Sequence, residues 1–119
     1  MEKIDLLEKF ARFSDQWQPK IVAEMNGQYL KLAKLEGIFV WHHHEHEDEL
    51  FLVVQGELLI QFRDRDVLLR AGQMIVVPAG VEHRPVANEE AWVMLLEPKS
   101  TSNTGNVRNE RTVEAPEWI

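Results

Sequence analysis

The sequence predicts an all-β protein, a sandwich or a barrel, with a short N-terminal helix and an extended polar C-terminal tail. Roughly eight or nine short apolar runs are separated by turns rich in Gly, Pro, Asn and Asp. Hydrophobic residues make up 45% of the 119-residue chain, enough for a core of its own. Because we find no internal repeat or domain boundary, we expect one domain over residues 1–119. Its β core should span about 20–98, followed by a polar tail or arm at 99–119.

Local patterns predict the individual elements. Ile4, Leu7 and Phe10 recur at helical spacing, so residues 4–13 should form a short amphipathic helix packed on the main body. Asn26-Gly27, between two apolar runs, indicates a two-residue hairpin. Extended runs bounded by turn residues predict strands at residues 21–25, 28–35, 38–42, 50–54, 58–62, 67–69, 74–77 and 92–96.

The tail differs in composition from the rest of the chain. Residues 99–112 are rich in Ser, Thr and Asn and have no apolar period, yet the chain ends in Trp118-Ile119. Such a terminal pair is either an anchor, packed on this subunit or on a partner, or a frayed end. The sequence leaves both interpretations open.

Composition excludes several classes of function. Lys and Arg number 13 against 20 Asp and Glu, a formal net charge of −7. An acidic chain lacks the basic face that neutralises phosphates, so we expect no nucleic-acid partner and no docking on a membrane. The N-terminus lacks the order of a signal peptide and no apolar run approaches a membrane span, so we expect a cytoplasmic protein. Cys is absent, so any metal must bind to His and carboxylate side chains.

The five histidines occur in two places, four between positions 42 and 46 and one at position 83. Alternate side chains of a strand share a face, so His42 and His44 should point one way and His43 the other. Two imidazoles on one face can bind the same metal ion. Glu49 begins the next strand and can fold back beside them, and the tight Pro-Ala-Gly turn before His83 could bring that residue in from a separate strand.

Three His and one Glu are ligands of intermediate hardness. They suit one divalent transition metal, Fe, Mn, Ni, Zn, Cu or Co, better than Ca or Mg. An octahedral ion would keep coordination positions open for water or substrate. Other interpretations stay open: the run from His42 to His46 is a flexible metal-binding tract on the surface, and His83 is an ordinary hydrogen-bonded histidine.

The first of two spaced motifs resembles that of the cupin superfamily. It reads Gly, five residues, His-x-His, three or four residues, Glu, six residues, Gly. His42-x-His44, four residues, Glu49, six residues and Gly56 match it, while Gly37 lies one residue closer to His42 than the pattern asks.

The second motif is similar to the other cupin signature: Gly, five residues, Pro-x-Gly, two residues, His, three residues, Asn. The chain matches it from Gly72 through Pro78 and Gly80 to His83, with Asn88 one residue late. The resemblance covers about residues 37–97 and implies a jelly-roll β-barrel with the metal inside it. The ligands that it implies are His42, His44, Glu49 and His83.

Cupins include dioxygenases, isomerases and non-catalytic binders, so the fold leaves the reaction open. We expect a small-molecule enzyme of the dioxygenase or isomerase type that uses open positions on a divalent metal. The alternatives are a binding module without turnover and a closed structural metal site. Candidate substrate-binding residues are Phe51, Val53, Gln61, Arg84, Trp92 and Met94, with Glu97 as a further possibility.

Two strands predict a partner subunit. Residues 50–54 and 74–77 are apolar on both faces, whereas a sheet with a polar outer face alternates. One face fills the barrel and the other needs a cover that a helix at 4–13 supplies only in part. We therefore expect a homodimer; the single-chain alternative is that residues 99–119 fold back and seal the surface.

Overall fold

The computed structural model describes all 119 residues of the chain. One short helix and eight strands confirm the all-β prediction. In chain order they are α1 (Leu6–Phe10), β1 (Lys20–Met25), β2 (Gln28–Ile38), β3 (Glu49–Gln55), β4 (Glu57–Phe62), β5 (Asp66–Arg70), β6 (Met74–Val77), β7 (His83–Pro98) and β8 (Glu117–Trp118).

The predicted hairpin joins β1 to β2. Met25 pairs with Gln28 across a two-residue loop in which Asn26 and Gly27 have φ values of 54° and 76°. Positive φ at both loop positions matches the right-handed twist of the strands, and Asn and Gly adopt it at the lowest steric cost.

The helix is shorter than the predicted 4–13. The Asp5 side chain accepts a hydrogen bond from the Glu8 backbone N–H at 3.2 Å, so Asp5 caps the helix rather than belonging to it. Beyond Phe10, the carbonyl of Phe13 turns towards the sheet and accepts a hydrogen bond from Lys34 Nζ at 2.6 Å. No helix is long and apolar enough to cross a membrane.

β7 is much longer than the strand predicted at 92–96, with sixteen residues. Pro85 and the charged pair Glu89-Glu90 interrupt the alternation of apolar and polar residues in the first half of the strand, so the sequence pattern does not reveal it. Pro85 cannot donate to a ladder, but its carbonyl accepts from the N–H of Phe39 at 3.0 Å. One continuous strand therefore carries His83 at its start and Glu97 near its end.

β7 also organises the sheet. It pairs antiparallel with β2 on one side, and on the other with β4 along its first half and β3 along its second. β6 pairs with β3 and β5 with β4, which leaves both as edges. The sheet curls into a jelly-roll barrel whose hydrogen-bond ladder is not closed.

The core has two parts. Fourteen buried apolar residues fill the barrel, among them Phe51, Val53 and Leu95. A smaller cluster of Phe10, Val22 and Leu32 lies outside it, between α1 and the first two strands. The barrel interior is therefore apolar around the polar residues described below.

Residues 99–119, here called the arm, fold back onto the barrel. β8 pairs parallel with the start of β1, and the N–H of Ile119 donates to the Ile21 carbonyl at 3.0 Å. Lys9 Nζ donates to the Ile119 carbonyl at 2.6 Å. The end of the chain is thus an anchor on its own subunit and not a frayed terminus.

Candidate metal centre

A bridge between the histidine-rich loop and the start of β7 positions the first pair of imidazoles. His42 and His83 form an isolated antiparallel bridge, in which each N–H donates to the other's carbonyl at 3.0 and 2.9 Å. Residues paired in this way project to the same side of the sheet. Their ring centroids are therefore only 4.3 Å apart.

The turn before His83 fixes the position of His44. The N–H of Gly80 donates to the His44 carbonyl at 2.7 Å, and the N–H of Ala79 donates to the Asp48 carboxylate at 2.8 Å. These bonds tie the Pro-Ala-Gly turn to the histidine-rich loop. The two matched motifs therefore meet in space although His42 and His83 are about forty residues apart in the sequence.

The four residues converge as the spacing predicted. One nitrogen or oxygen atom from each of His42, His44, Glu49 and His83 lies within 4.8 Å of every other. Glu49 Oε1 is 3.3 Å from Nε2 of both His44 and His83. All four side chains are buried. The arrangement is able to hold a metal ion.

Hydrogen bonds set the tautomers of two imidazoles. Nδ1 of His42 lies 2.9 Å from the Val40 carbonyl, and Nδ1 of His83 lies 2.9 Å from the Val81 carbonyl. A carbonyl only accepts, so each Nδ1 carries the proton and donates. Nε2 of each ring is left with its lone pair, as metal coordination requires.

Several buried atoms of the cluster have no hydrogen-bond partner in the protein. They are both ring nitrogens of His44, Nε2 of His83 and Oε1 of Glu49. Burying such atoms unpaired costs free energy, and native proteins avoid it. One ring nitrogen of His44, Nε2 of His83 and Oε1 of Glu49 are atoms that a divalent cation would bind, so the donor set fits a metal.

The site also perturbs protonation. Burial, with repulsion from His83, lowers the pKa of His42 to about 4. Burial alone would raise the pKa of Glu49, but its contacts with His44 and His83 outweigh that effect and hold the pKa well below its usual value. His42 is therefore neutral and Glu49 ionised near pH 7, the states in which they can bind a metal.

The remaining histidines lie outside the cluster. The His43 backbone binds Asn106 of the arm on both sides: its N–H donates to the Asn106 side chain at 2.9 Å and its carbonyl accepts from the Asn106 N–H at 3.0 Å. The His46 side chain is 86% exposed. The ordered backbone around His43 argues against a flexible tract.

A small cavity of about 40 Å³ adjoins the cluster. Phe51, predicted to bind substrate, lines it with the two ligands His42 and Glu49, and so does Glu97. Its apolar walls come from residues spread over the chain, namely Trp17, Pro19, Ala33, Leu35, Phe39, Pro85 and Leu95.

The other predicted substrate-binding residues do not line this cavity. Val53 is fully buried, but deeper in the barrel core. Gln61 accepts a hydrogen bond from Arg84 Nε at 2.8 Å, and the Arg84 guanidinium lies 5.1 Å from the centre of the Trp41 ring.

Trp92 and Met94 also lie elsewhere, in the small cluster beneath α1. On β7 the barrel interior takes the odd-numbered residues, such as Val93 and Leu95. The even-numbered Trp92 and Met94 therefore face outwards. Trp92 stacks on Phe10 with ring centroids 4.9 Å apart, so it packs the helix and not the cavity.

Sequence reasoning missed the contribution of the arm. Asn103 lines the cavity, and the Arg111 guanidinium lies 5.2 Å from the centre of the Trp17 ring and 5.7 Å from that of Phe39. Gly105 packs so closely on the histidine loop that an added Cβ would lie 2.3 Å from the His43 carbonyl oxygen. No periodicity marks these contacts, although the Gly105-Asn106 pair is a turn signal.

The Cupin_2 family, described as the cupin domain, matches residues 29–97, more than half of the chain. The chain belongs to this family. It is 40% identical over 81 residues to the YdbB protein of Bacillus subtilis (strain 168), covering 67% of this chain and 66% of that protein. It is 29% identical over 99 residues to the acireductone dioxygenase of Yarrowia lipolytica, covering 78% of this chain and 57% of the enzyme.

A solved cupin-2 domain protein from Shewanella frigidimarina has the same fold. It is 49% identical, with a TM-score of 0.80, and the match covers 81% of this chain and 94% of that one. The chain thus spans nearly all of this relative, but only about two thirds or less of the two curated relatives.

Proposed function

We propose that this cupin binds one divalent transition metal through His42, His44, Glu49 and His83 and uses it to transform a small molecule. The observation that carries the proposal is the group of buried, unpaired nitrogen and oxygen atoms within 4.8 Å of one another. A metal bound there would supply Lewis-acid or redox chemistry to a molecule that reaches its remaining coordination positions.

The size and lining of the cavity favour a small and largely apolar substrate. A volume of about 40 Å³ accommodates a molecule of very few heavy atoms beside the cluster while the arm is in place. Trp17, Phe39 and Phe51 would contact its apolar part and exclude water, while Glu97 and Asn103 offer hydrogen bonds. A larger substrate requires the arm to move away from the barrel.

The name of one relative favours the dioxygenase form over the isomerase form. The acireductone dioxygenase shares 29% identity over most of this chain. That likeness supports a reaction of the dioxygenase type without naming the substrate. Consumption of dioxygen with a panel of small enol, diol and ketone substrates, abolished by a chelator and restored by one metal, is the expected result.

The metal site itself is tested by two neighbouring substitutions. His44→Ala should abolish stoichiometric metal binding, because both His44 ring nitrogens lack protein partners within the cluster. His43→Ala, the matched control one residue away, should leave binding nearly intact, because the His43 side chain lies outside the cluster. Elemental analysis after dialysis measures both. Equal losses from the two variants would contradict the proposed ligand set.

The tight cover of the arm favours a second candidate, a binding module without turnover. Gly105 and Asn106 hold the arm against the histidine loop, which restricts exchange of molecules with the cavity. Saturable binding of a small molecule to the metal-loaded protein, with no product formed over many hours, would support the module over the enzyme.

A further inference from the structure

A buried lysine–glutamate pair lies inside the barrel beside the metal centre. Lys31 Nζ donates to Glu97 Oε1 at 2.8 Å, and the two side chains are 2% and 1% exposed. Lys31 on β2 shares its inward face with Ala33, and Glu97 on β7 shares its inward face with Leu95. The pair therefore occupies positions that apolar side chains fill elsewhere in the barrel.

Glu97 links this pair to a proposed metal ligand. Its carboxyl group borders the same cavity as Glu49 and lies within hydrogen-bonding reach of the Glu49 carboxyl group. Its Oε2 atom is buried and receives no hydrogen bond from the protein. Glu49 must be ionised to bind a metal, and two ionised carboxylates would repel each other, so the proton between them belongs to Glu97. Glu97 Oε1 accepts from Lys31, and a protonated Oε2 would donate to Glu49.

We infer that Glu97, held by Lys31, is a positioning residue that orients the Glu49 carboxylate towards the metal. This inference rests on the proposed metal function. Groups that hydrogen-bond to metal ligands fix their orientation, and their loss commonly lowers metal affinity about ten- to hundredfold. Glu49 has Oε1 directed at His44 and His83, so a partner on its other side would hold the carboxylate in that orientation.

A different result is expected if the Lys31–Glu97 pair has only a structural role. A buried ion pair can often be replaced by apolar side chains of similar volume without loss of stability. If Lys31 and Glu97 only satisfied each other, replacing both would leave metal affinity unchanged. If Glu97 positions Glu49, the double replacement keeps the fold but weakens the metal site.

Four variants separate these readings. Glu97→Gln keeps an oxygen that accepts from Lys31 and an amide N–H that can donate to Glu49, whereas Glu97→Leu removes both bonds. Lys31→Met/Glu97→Leu avoids an unpaired buried charge. Lys20→Met is the matched control, because Lys20 is a buried lysine on the neighbouring strand whose partners are Asp15 and Glu117.

The measurements are the affinity of each protein for Co(II), by competition with a chromophoric chelator, and the visible absorption spectrum of the bound Co(II). Thermal unfolding of the metal-free variants checks the fold. Glu97→Gln and Lys20→Met should stay within about threefold of wild type with the wild-type spectrum. Glu97→Leu and the double variant should bind about ten- to hundredfold more weakly, with an altered spectrum.

Wild-type affinity and spectrum in the folded double variant would overturn the positioning role while leaving the proposed metal function intact. Equal losses in Glu97→Gln and Glu97→Leu would also overturn it, since the amide retains the hydrogen bonds. Absence of stoichiometric Co(II) binding by the wild type would instead overturn the proposed function, and the inference with it.

Discussion

Replacing Gly105 by Ala tests how the arm is fixed over the metal centre. The glycine has φ of 56°, and an added Cβ would lie 2.3 Å from the His43 carbonyl oxygen and 3.0 Å from His42 Cδ2. The first distance is far inside van der Waals contact and involves backbone, so the arm must move. Moving it breaks the two hydrogen bonds between Asn106 and the His43 backbone.

The magnitude follows from two contributions. A left-handed conformation costs an L-residue about 1–2 kcal/mol, and each lost hydrogen bond about 0.5–1.5 kcal/mol. We therefore expect Gly105→Ala to lower the free energy of unfolding by about 2–5 kcal/mol. Urea unfolding of the metal-free protein measures it, with a constant m-value as the check on two-state behaviour.

Gly72→Ala is the matched control. Gly72 has φ of 86°, but nothing lies within 4 Å of its added Cβ, so only the conformational cost of about 1–2 kcal/mol applies. The Gly105 variant should also bind metal more weakly and be cut faster by trypsin after Arg108 and Arg111, while Gly72→Ala should match wild type in both. If Gly105→Ala costs no more than Gly72→Ala and leaves metal affinity unchanged, the arm does not depend on this contact.

Two further outcomes are expected. The pKa of His42 falls from 6.5 to about 4 on folding, so the unfolded chain binds the extra proton between these values and the metal-free protein loses about 3 kcal/mol of stability as pH drops through this window. Urea unfolding at pH 7 and pH 4.5 should show a smaller loss in His42→Gln; identical losses would refute it. Because the outward-facing Met74 and Val76 are 61% and 52% exposed, we also predict a homodimer through β6. Light scattering should give about twice 13.9 kDa for wild type and 13.9 kDa for Met74→Glu, and a wild-type mass of 13.9 kDa would exclude the dimer.

Much of the barrel could be predicted because its signals are local. Strand β6 occupies exactly the predicted residues 74–77, and the Asn26-Gly27 hairpin depends only on turn chemistry. The four clustered residues were also predictable, because the two cupin-like motifs mark them. The predicted strand at 38–42 is not formed, however, and residues 39–48 have no strand pairing apart from the His42–His83 bridge. The tight turn before His83 then brings the second motif to the first.

Other features depend on contacts that no local pattern reports. Lysine is almost never fully buried unless it is paired, yet Lys31 and Lys34 are both buried. The partner of Lys31 is Glu97, 66 residues away, and Lys34 binds the carbonyl of Phe13, 21 residues away. The path of the arm is equally hidden, because Gly105 packs against the backbone of His43 and Asn106 hydrogen-bonds to it. Contacts with backbone atoms do not depend on which side chain stands at position 43.

The long-range contacts of buried or partly buried cationic side chains help to hold the residues of the candidate metal centre in place. Burying the His44 ring nitrogens, His83 Nε2 and Glu49 Oε1 without hydrogen-bond partners opposes folding of the metal-free chain, so other contacts must hold these side chains together. Lys34 donates to the carbonyl of Phe13, and Arg111 donates to the carbonyl of Ile38 at 2.8 Å. Each of them ties a terminal segment to the barrel wall around the cavity. The fold can therefore present a formed ligand set before a metal arrives, and binding then need not order the chain as well.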